Sequence, residues 1–172
     1  MMTVTLETER LHLRPFRHAD YAPYAAFLAD EESTRYLGGT RDGEAVWRIM
    51  ATFCGHWHLR GYGPFAVEEK ATGNFIGYCG PWFPCGRPER EFVWGILPNA
   101  QRKGYATEAA QTARRWAYEV CGWSVAVSNV MPENTVSSRV AEKLGAQKDG
   151  TVVVTGILLD VWRHPPATEV LQ

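Results

Sequence analysis

Pro98-Asn99-Ala100-Gln101-Arg102-Lys103-Gly104-Tyr105-Ala106-Thr107-Glu108-Ala109 carries the strongest structural signal in the chain. It joins a β-rich run, Phe92 to Leu97, to the clearest helical pattern. Ala106, Ala109, Ala110, Ala113, Trp116, Ala117 and Val120 fall on one stripe that ends before Gly122. A strand, a polar turn and a long helix beginning near Gly104 bring unpaired N–H groups and the positive end of the helix dipole to one place. Gly104 lets an anion approach closely, Ala106 keeps the next approach point small, and Arg102 and Lys103 add positive charge. On its own the turn serves equally as an anion site or as a solvated basic connection. Neither G-x-x-x-x-G-K-[ST] nor G-x-G-x-x-G occurs, so it is neither a Walker loop nor the dinucleotide fingerprint.

On either side of this stretch, helices and strands mix without strict βαβ alternation. Leu11 to Phe16 alternates as a half-buried strand. A helix with Tyr21, Tyr24, Ala25 and Leu28 on one face follows, with Asp20 placed to cap it and Pro23 in its first turn. A second helix runs from about Asp42 to Leu59, with Val46, Met50, Phe53 and Trp57 at spacings of three and four and Gly61 as its stop. Pro64 to Val67, Phe75 to Gly80 and Phe92 to Leu97 are short β-rich runs of a meander. After the alanine-striped helix come a strand at Trp123 to Val127 and a helix from about Asn134 to Leu144, closed by Gly145. A hairpin, Val152 to Thr155 and Ile157 to Val161 around Gly156, ends the pattern. The predicted order is βααβββαβαββ: an α/β fold with a single mixed, mostly antiparallel central sheet flanked by helices.

Four segments resemble the GNAT N-acetyltransferase superfamily, in the family's order. Gln101-Arg102-Lys103-Gly104-Tyr105-Ala106 matches its Q/R-x-x-G-x-G/A signature. Glu91 to Pro98 followed by Lys103 to Ala109 is similar to the RimJ/RimL-type branch, which modifies ribosomal proteins. Thr8-Glu9-Arg10-Leu11-His12-Leu13-Arg14-Pro15-Phe16 resembles that branch's first strand. Asn134-Thr135-Val136-Ser137 with Glu142-Lys143-Leu144-Gly145 resembles its closing N-x-x-S…E-K-x-G element.

The resemblance implies transfer of acetyl from acetyl-CoA directly to a primary amine, a protein N-terminus or a small molecule, in a ternary complex. It implies that Gln101, Arg102, Lys103, Gly104, Tyr105 and Ala106 hold the pyrophosphate of coenzyme A. The amides of Ile96 and Leu97 would hold the pantetheine arm and the thioester carbonyl, and Asn134 would contact the pantetheine. Glu91 would be the base and Ser137, near the sulfur, the proton donor to the leaving thiolate. At pH about 7.5, deprotonating an α-amine costs roughly 0.5 kcal/mol and a lysine about 4 kcal/mol, so a modest base suffices for an N-terminus. Many members place a tyrosine one position before E-K-x-G; this chain has Ala141 there, and Ala146 where a phenylalanine is usual. A non-catalytic acyl-CoA-binding sensor on the same fold is the alternative.

Composition bounds the remainder. Its 172 residues suit one domain spanning residues 1–172, and 45% hydrophobic with 22% charged residues is a folded balance. Lys plus Arg number 18 against 19 Asp plus Glu, which argues against a nucleic-acid partner. No run reaches a membrane span, and Met1 to Arg10 lacks a signal peptide's apolar core. The scattered cysteines (Cys54, Cys79, Cys85, Cys121) read as free thiols of a cytoplasmic protein, and neither cysteine of the Cys79–Cys85 turn has a base partner. His56 and His58, two apart, are poorly spaced for a metal, and none is expected. His164 reads as an exposed, non-catalytic residue. Trp47, Trp57, Trp82 and Phe83 are core or acceptor-pocket aromatics, and Tyr36-Leu37-Gly38-Gly39 is a candidate acceptor-facing turn. A homodimer is compatible with the branch.

Overall fold

A computed structural model describes residues 4–172; Met1 to Thr3 of the amino-terminal stretch read above lie outside the described residues. The elements run β1 (Leu6–Glu7), β2 (Leu11–Arg14), α1 (Tyr21–Ala29), α2 (Glu31–Thr34), α3 (Gly43–Arg60), β3 (Phe65–Glu69), β4 (Asn74–Trp82) and β5 (Glu91–Ile96). They continue with α4 (Tyr105–Glu119), β6 (Val127–Val130), α5 (Thr135–Lys143), β7 (Gln147–Val154), β8 (Ile157–Arg163) and α6 (Ala167–Val170). The expected order is present, with β1, α2 and α6 added. The strands form one sheet in the order β1-β2-β3-β4-β5-β6-β8-β7, antiparallel except where β5 meets β6.

The strand period of two divides the core. On β3, Phe65 and Val67 face the layer of α4, while Ala66 joins Tyr24, Phe27, Val46, Met50 and Phe53 from α1 and α3 on the opposite face. The α4 stripe packs through Ala109, Ala110, Ala113 and Ala117, all fully buried or nearly so. Such small residues bring the helix backbone close to β4 and β5. Val120 leaves the stripe and is exposed, because the helix ends there. The α3 boundaries follow the sequence: the Asp42 carboxylate accepts from Ala45 N–H at 2.8 Å, and Gly61 stops the helix in a left-handed conformation. Among the described residues, no helix is long and apolar enough to cross a membrane.

Two local expectations need correction. Asp20 is buried and caps nothing in α1; it accepts from Arg17 N–H at 2.7 Å and takes both Nη atoms of Arg14 at 2.8 Å. The strand expected at Trp123 to Val127 lies instead at Val127–Val130, because its antiparallel partner β8 aligns Arg163 with Val127 and Asp160 with Val130.

A β-bulge in β4 prepares the site. Val67 pairs with Gly77 and Glu68 with Phe75, so Ile76 is the extra residue. Gly77 has φ 149°, and a Cβ there would stand 2.1 Å from the Gly95 carbonyl oxygen, so only glycine lets β4 pass β5 at this distance.

Candidate active site

β5 and β6 run parallel but share a single pair, Glu91 with Val127. β5 follows β4 as far as Ile96, and β6 follows β8, so the two halves of the sheet diverge beyond that pair. At the closed end Val127 N–H donates to the Arg90 carbonyl at 2.9 Å, and the Ser128 hydroxyl to the Phe92 carbonyl at 2.7 Å. The amides expected to be free were those of Ile96 and Leu97. Leu97 N–H instead donates to the Ile76 carbonyl at 2.9 Å. Antiparallel alternation then turns the N–H groups of Trp94 and Ile96 into the gap, where the ladder offers no partner. Trp94 was absent from the sequence expectation because the alternation of β5 cannot be phased without knowing its register on β4.

The turn after β5 is tied back to it: Gln101 Nε2 donates to the Ile96 carbonyl at 2.9 Å. Arg102 and Gly104 both have left-handed backbone, φ 62° and 85°. Gly104 is the N-cap of α4 and supplies no side chain, and the first helical bond is Glu108 N–H to the Gly104 carbonyl at 3.1 Å. The N–H groups of Tyr105, Ala106 and Thr107 are therefore open to a ligand. Gln101, Arg102, Lys103 and Gly104 are exposed, Ala106 is half-buried and Tyr105 is buried.

The first-strand motif explains why the turn holds its shape. Arg10 donates to the Lys103 carbonyl at 2.9 Å, bonds Glu108 Oε2 at 2.7 Å and lies 4.5 Å over the Tyr105 ring, while Thr8 also donates to Glu108. Tyr105 OH bonds Glu69, so this side chain braces the turn and only its N–H faces outward. Among the described residues, Lys143 is the one cation lining the depression formed with Gly104, Thr107 and Gln111, where Glu9 and Glu108 also stand and Glu108 is engaged by Arg10. Lys143 stood in the E-K-x-G motif without an assigned role.

Across the gap, α5 is capped by Asn134, whose Oδ1 accepts from Ser137 N–H at 3.1 Å. Glu91, Asn134 and Ser137 line one cleft of about 370 Å³ together with Tyr36, Arg41, Arg87, Trp94 and Asn129. Glu91 is 3% exposed, its Oε1 has no hydrogen-bond donor, and the Asn129 carboxamide is likewise unpartnered. Arg87 Nη1 stands 3.4 Å from Glu91 Oε1. Burial pushes the Glu91 carboxyl above the usual range, and the Arg87 charge and Asn129 side chain pull it partly back.

Ala141 is fully buried and clusters with Ala146, Val130 and Trp162, with Trp94 against them. Trp162 and Trp94 pack around these two small residues, and the Ser137 position lies one helical turn before Ala141 on the same face. Tyr36, Leu37 and Gly38 line the cleft, whereas Trp47, Trp57, Trp82 and Phe83 do not. Trp57 packs on Phe65 and Trp116, and Trp82 on Phe53 and His56. Burial also pushes the Cys79 thiol up, away from reactivity. His56 is held between the Tyr62 carbonyl at 2.7 Å and Phe83 N–H at 3.2 Å.

His164 contradicts expectation: it is 2% exposed, with Nε2 at 2.9 Å from Ser128 Oγ and Nδ1 at 3.3 Å from Arg114 Nη1. Since the Ser128 hydroxyl donates to Phe92, the imidazole donates from Nε2 and accepts at Nδ1. Burial and the Arg114 charge depress it to about 3. It is a neutral structural group.

An uncapped helix N-terminus leads along splayed strand amides to a buried carboxylate, an arrangement with room for an anionic donor at one end and a proton-bearing group at the other. The chain belongs to the acetyltransferase (GNAT) domain family, whose model matches residues 10–147, and it is an acetyl-CoA-dependent acetyltransferase. An acetyltransferase structure from Agrobacterium tumefaciens is similar at 33% identity and a TM-score of 0.87, covering 96% of each chain. The uncharacterized N-acetyltransferase YoaA of Bacillus subtilis is 27% identical over 150 residues, 86% of this chain and 85% of its own. The spermidine N-acetyltransferase of Vibrio cholerae, solved with CoA and spermine, shares the fold at 19% identity and a TM-score of 0.75, covering 96% of this chain and all of its own.

Proposed function

We propose that the chain is a single-domain N-acetyltransferase of the RimJ/RimL-like branch that passes acetyl directly from acetyl-CoA to a primary amine held in the same complex. The observation that carries this reading is Glu91 Oε1, buried, lacking a donor, and facing the cleft at the point where β5 and β6 part. A carboxylate so placed is a base waiting for an N–H.

The residues present fit the cosubstrate. The open amides of Tyr105, Ala106 and Thr107, with Arg102, Lys103 and Lys143 around them, would hold its phosphates. Trp94 and Ile96 offer amides for its arm and for the oxygen of the reacting carbonyl, and Asn134 retains its amino group toward the same gap. Acetyl-CoA supplies the activated acetyl group. Glu91 takes a proton from the incoming ammonium, and the neutral nitrogen bonds to the acetyl carbon. Negative charge gathers on the carbonyl oxygen beside the strand amides. The carbon–sulfur bond then breaks, the nitrogen sheds its second proton to solvent as the neutral amide forms, and Ser137 gives its proton to the leaving thiolate. Proton return from Glu91 through solvent restores the serine.

Release of coenzyme A from acetyl-CoA, measured against N-terminal peptides, amino acids, polyamines, aminoglycosides and lysine peptides, tests this. Amine-dependent release weakened by Glu91→Gln and Ser137→Ala is the expected result. Binding of coenzyme A without release in the presence of any amine would overturn it in favour of a sensor.

A further inference from the structure

The charge inside the acceptor cleft is the wrong sign for a polyamine. Among its lining residues Glu91 is the sole acid, against two arginines, Arg87 and Arg41. Arg41 donates through Nη1 to the carbonyls of Gly38, Gly39 and Thr40 at 2.8, 2.7 and 2.9 Å, and no carboxylate among the described residues neutralises it. Its charge is fixed in the wall by the Tyr36–Thr40 turn. A second or third ammonium on the acceptor would meet repulsion from both arginines.

Arg87 and Glu91 are close enough to attract yet poorly matched. Their 3.4 Å approach falls outside hydrogen-bond geometry, leaving Glu91 Oε1 without a donor although it is buried. The Arg87 guanidinium, about a quarter exposed, makes no hydrogen bond to any described residue. A planar fork of five N–H groups beside an open cleft matches an oxyanion. Both halves of the ion pair are therefore unsatisfied, one lacking a donor and the other an acceptor, side by side.

We infer that the acceptor is a primary amine bearing a carboxylate or like oxyanion on the same or a neighbouring carbon, with its nitrogen drawn to Glu91 and its acid group to Arg87. This narrows the amine class of the acetyltransferase reading and rests on it. Binding exchanges one loose ion pair for two well-formed ones: the acceptor's ammonium replaces Arg87 at Glu91, and its acid group replaces Glu91 at Arg87. Charge in the cleft is conserved, and the ammonium proton has an adjacent base. A peptide N-terminus presents an amide where the acid group is needed, and a polyamine presents another cation. An amino-acid-like small molecule satisfies both partners.

Calorimetric binding to the coenzyme A-loaded protein, run beside acetyl transfer, tests this with matched ligands. The ligands are free amino acids of differing side chains, the same amino acids as carboxamides, and spermidine. The acids are expected to bind and to turn over at least about tenfold better than their amides. Arg87→Ala erases the acid-to-amide ratio, and Arg87→Lys, which keeps the charge without the fork, retains part of it. Amides or spermidine binding as tightly as the acids, no binding by any acid, or a ratio that survives Arg87→Ala would overturn the inference. Acid binding that depends on Arg87 without release of coenzyme A would uphold acid recognition and sink the transferase reading. Spermidine acetylation indifferent to Arg87 would do the reverse.

Discussion

The two ends of the β5–β6 junction treat buried polar groups in opposite ways. At the closed end each group is handed to another: Arg114 to His164 and the Leu144 carbonyl, His164 to Ser128, Ser128 to the Phe92 carbonyl, with only Arg114 Nε left over. On the cleft-facing side of the same junction, Glu91 Oε1 and both polar atoms of the Asn129 side chain have no partner. An unsatisfied buried polar group costs about 1–3 kcal/mol, so such a cluster persists where a ligand completes it. A histidine and a glutamate, both almost fully buried, thus differ in role according to which has empty valences. The histidine, the commoner catalytic residue, is here the structural one.

The largest expected effect falls on the open end. Glu91→Gln keeps the shape and removes the base, and kcat/KM at neutral pH should fall by about 10²- to 10⁴-fold. Its urea midpoint should hold or rise, since the change relieves a desolvated carboxylate. A rate within threefold of wild type (roughly 0.6 kcal/mol) would erase the distinction between the two ends. The closed end should answer in stability instead. His164→Ala removes the donor to Ser128 Oγ and one of the two acceptors around Arg114 Nη1 and opens a cavity, a cost of about 2–4 kcal/mol by urea unfolding. His164→Gln, which restores a donor, should recover part of it. A cost below about 0.5 kcal/mol, the size of an ordinary surface change, would show that the network does not hold the strands together.

How legible these ends were follows from how local their determinants are. The α4 stripe, the Gly104 turn and the Asp42 and Gly61 boundaries of α3 depend on neighbours a turn or two away, and they stand where the pattern put them. The splay depends on which strands adjoin, and nothing in Val127 to Val130 announces a parallel neighbour with one shared pair. The phase that engages Leu97 with β4 and turns Trp94 N–H toward the gap is set by the β4–β5 register, a property of two strands invisible in either alone. His164 reads as exposed from its place near the C-terminus, while the partners that bury it, Arg114 and Ser128, lie 50 and 36 residues away. Glu91 was singled out through a family motif. Its neighbours give no local sign, since Glu89 pairs with Arg163 and Arg90 lies over Trp123. Arg87 escaped notice because its importance rests on a distance across a turn.

Ser137 offers a finer test within the open end. A thiol has an unperturbed pKa near 8.5, so at pH about 7.5 protonating the leaving thiolate gains only about a factor of ten. Ser137→Ala should therefore lower kcat about tenfold and leave KM for acetyl-CoA near its wild-type value, far less than the loss at Glu91. A loss as large as that of Glu91→Gln would mean that the hydroxyl also orients the reacting groups.

The smallest effect separates the two ends by sign. His164 is held down to about 3 from 6.5, so below about pH 6.5 the unfolded chain takes up a proton that the folded chain refuses. Its contribution is present above that pH and is lost as pH falls, by about 1.4 kcal/mol between pH 7.5 and 5.5. Glu91 is raised by burial, so the unfolded chain ionises first and stability falls as pH rises through the window above the ordinary glutamate range. Subtracting the stability curve of His164→Gln from wild type should leave a slope rising with pH, and that of Glu91→Gln a slope falling with it. The acid limb of kcat/KM should follow Glu91 alone, above the usual carboxylate range. Arg87→Ala should move that limb higher still, because it removes an attraction that favours the ionised carboxylate. Slopes of the same sign would mean that one of the two groups is not held as the fold places it, and a limb that ignores Arg87 would take Glu91 out of the proton path.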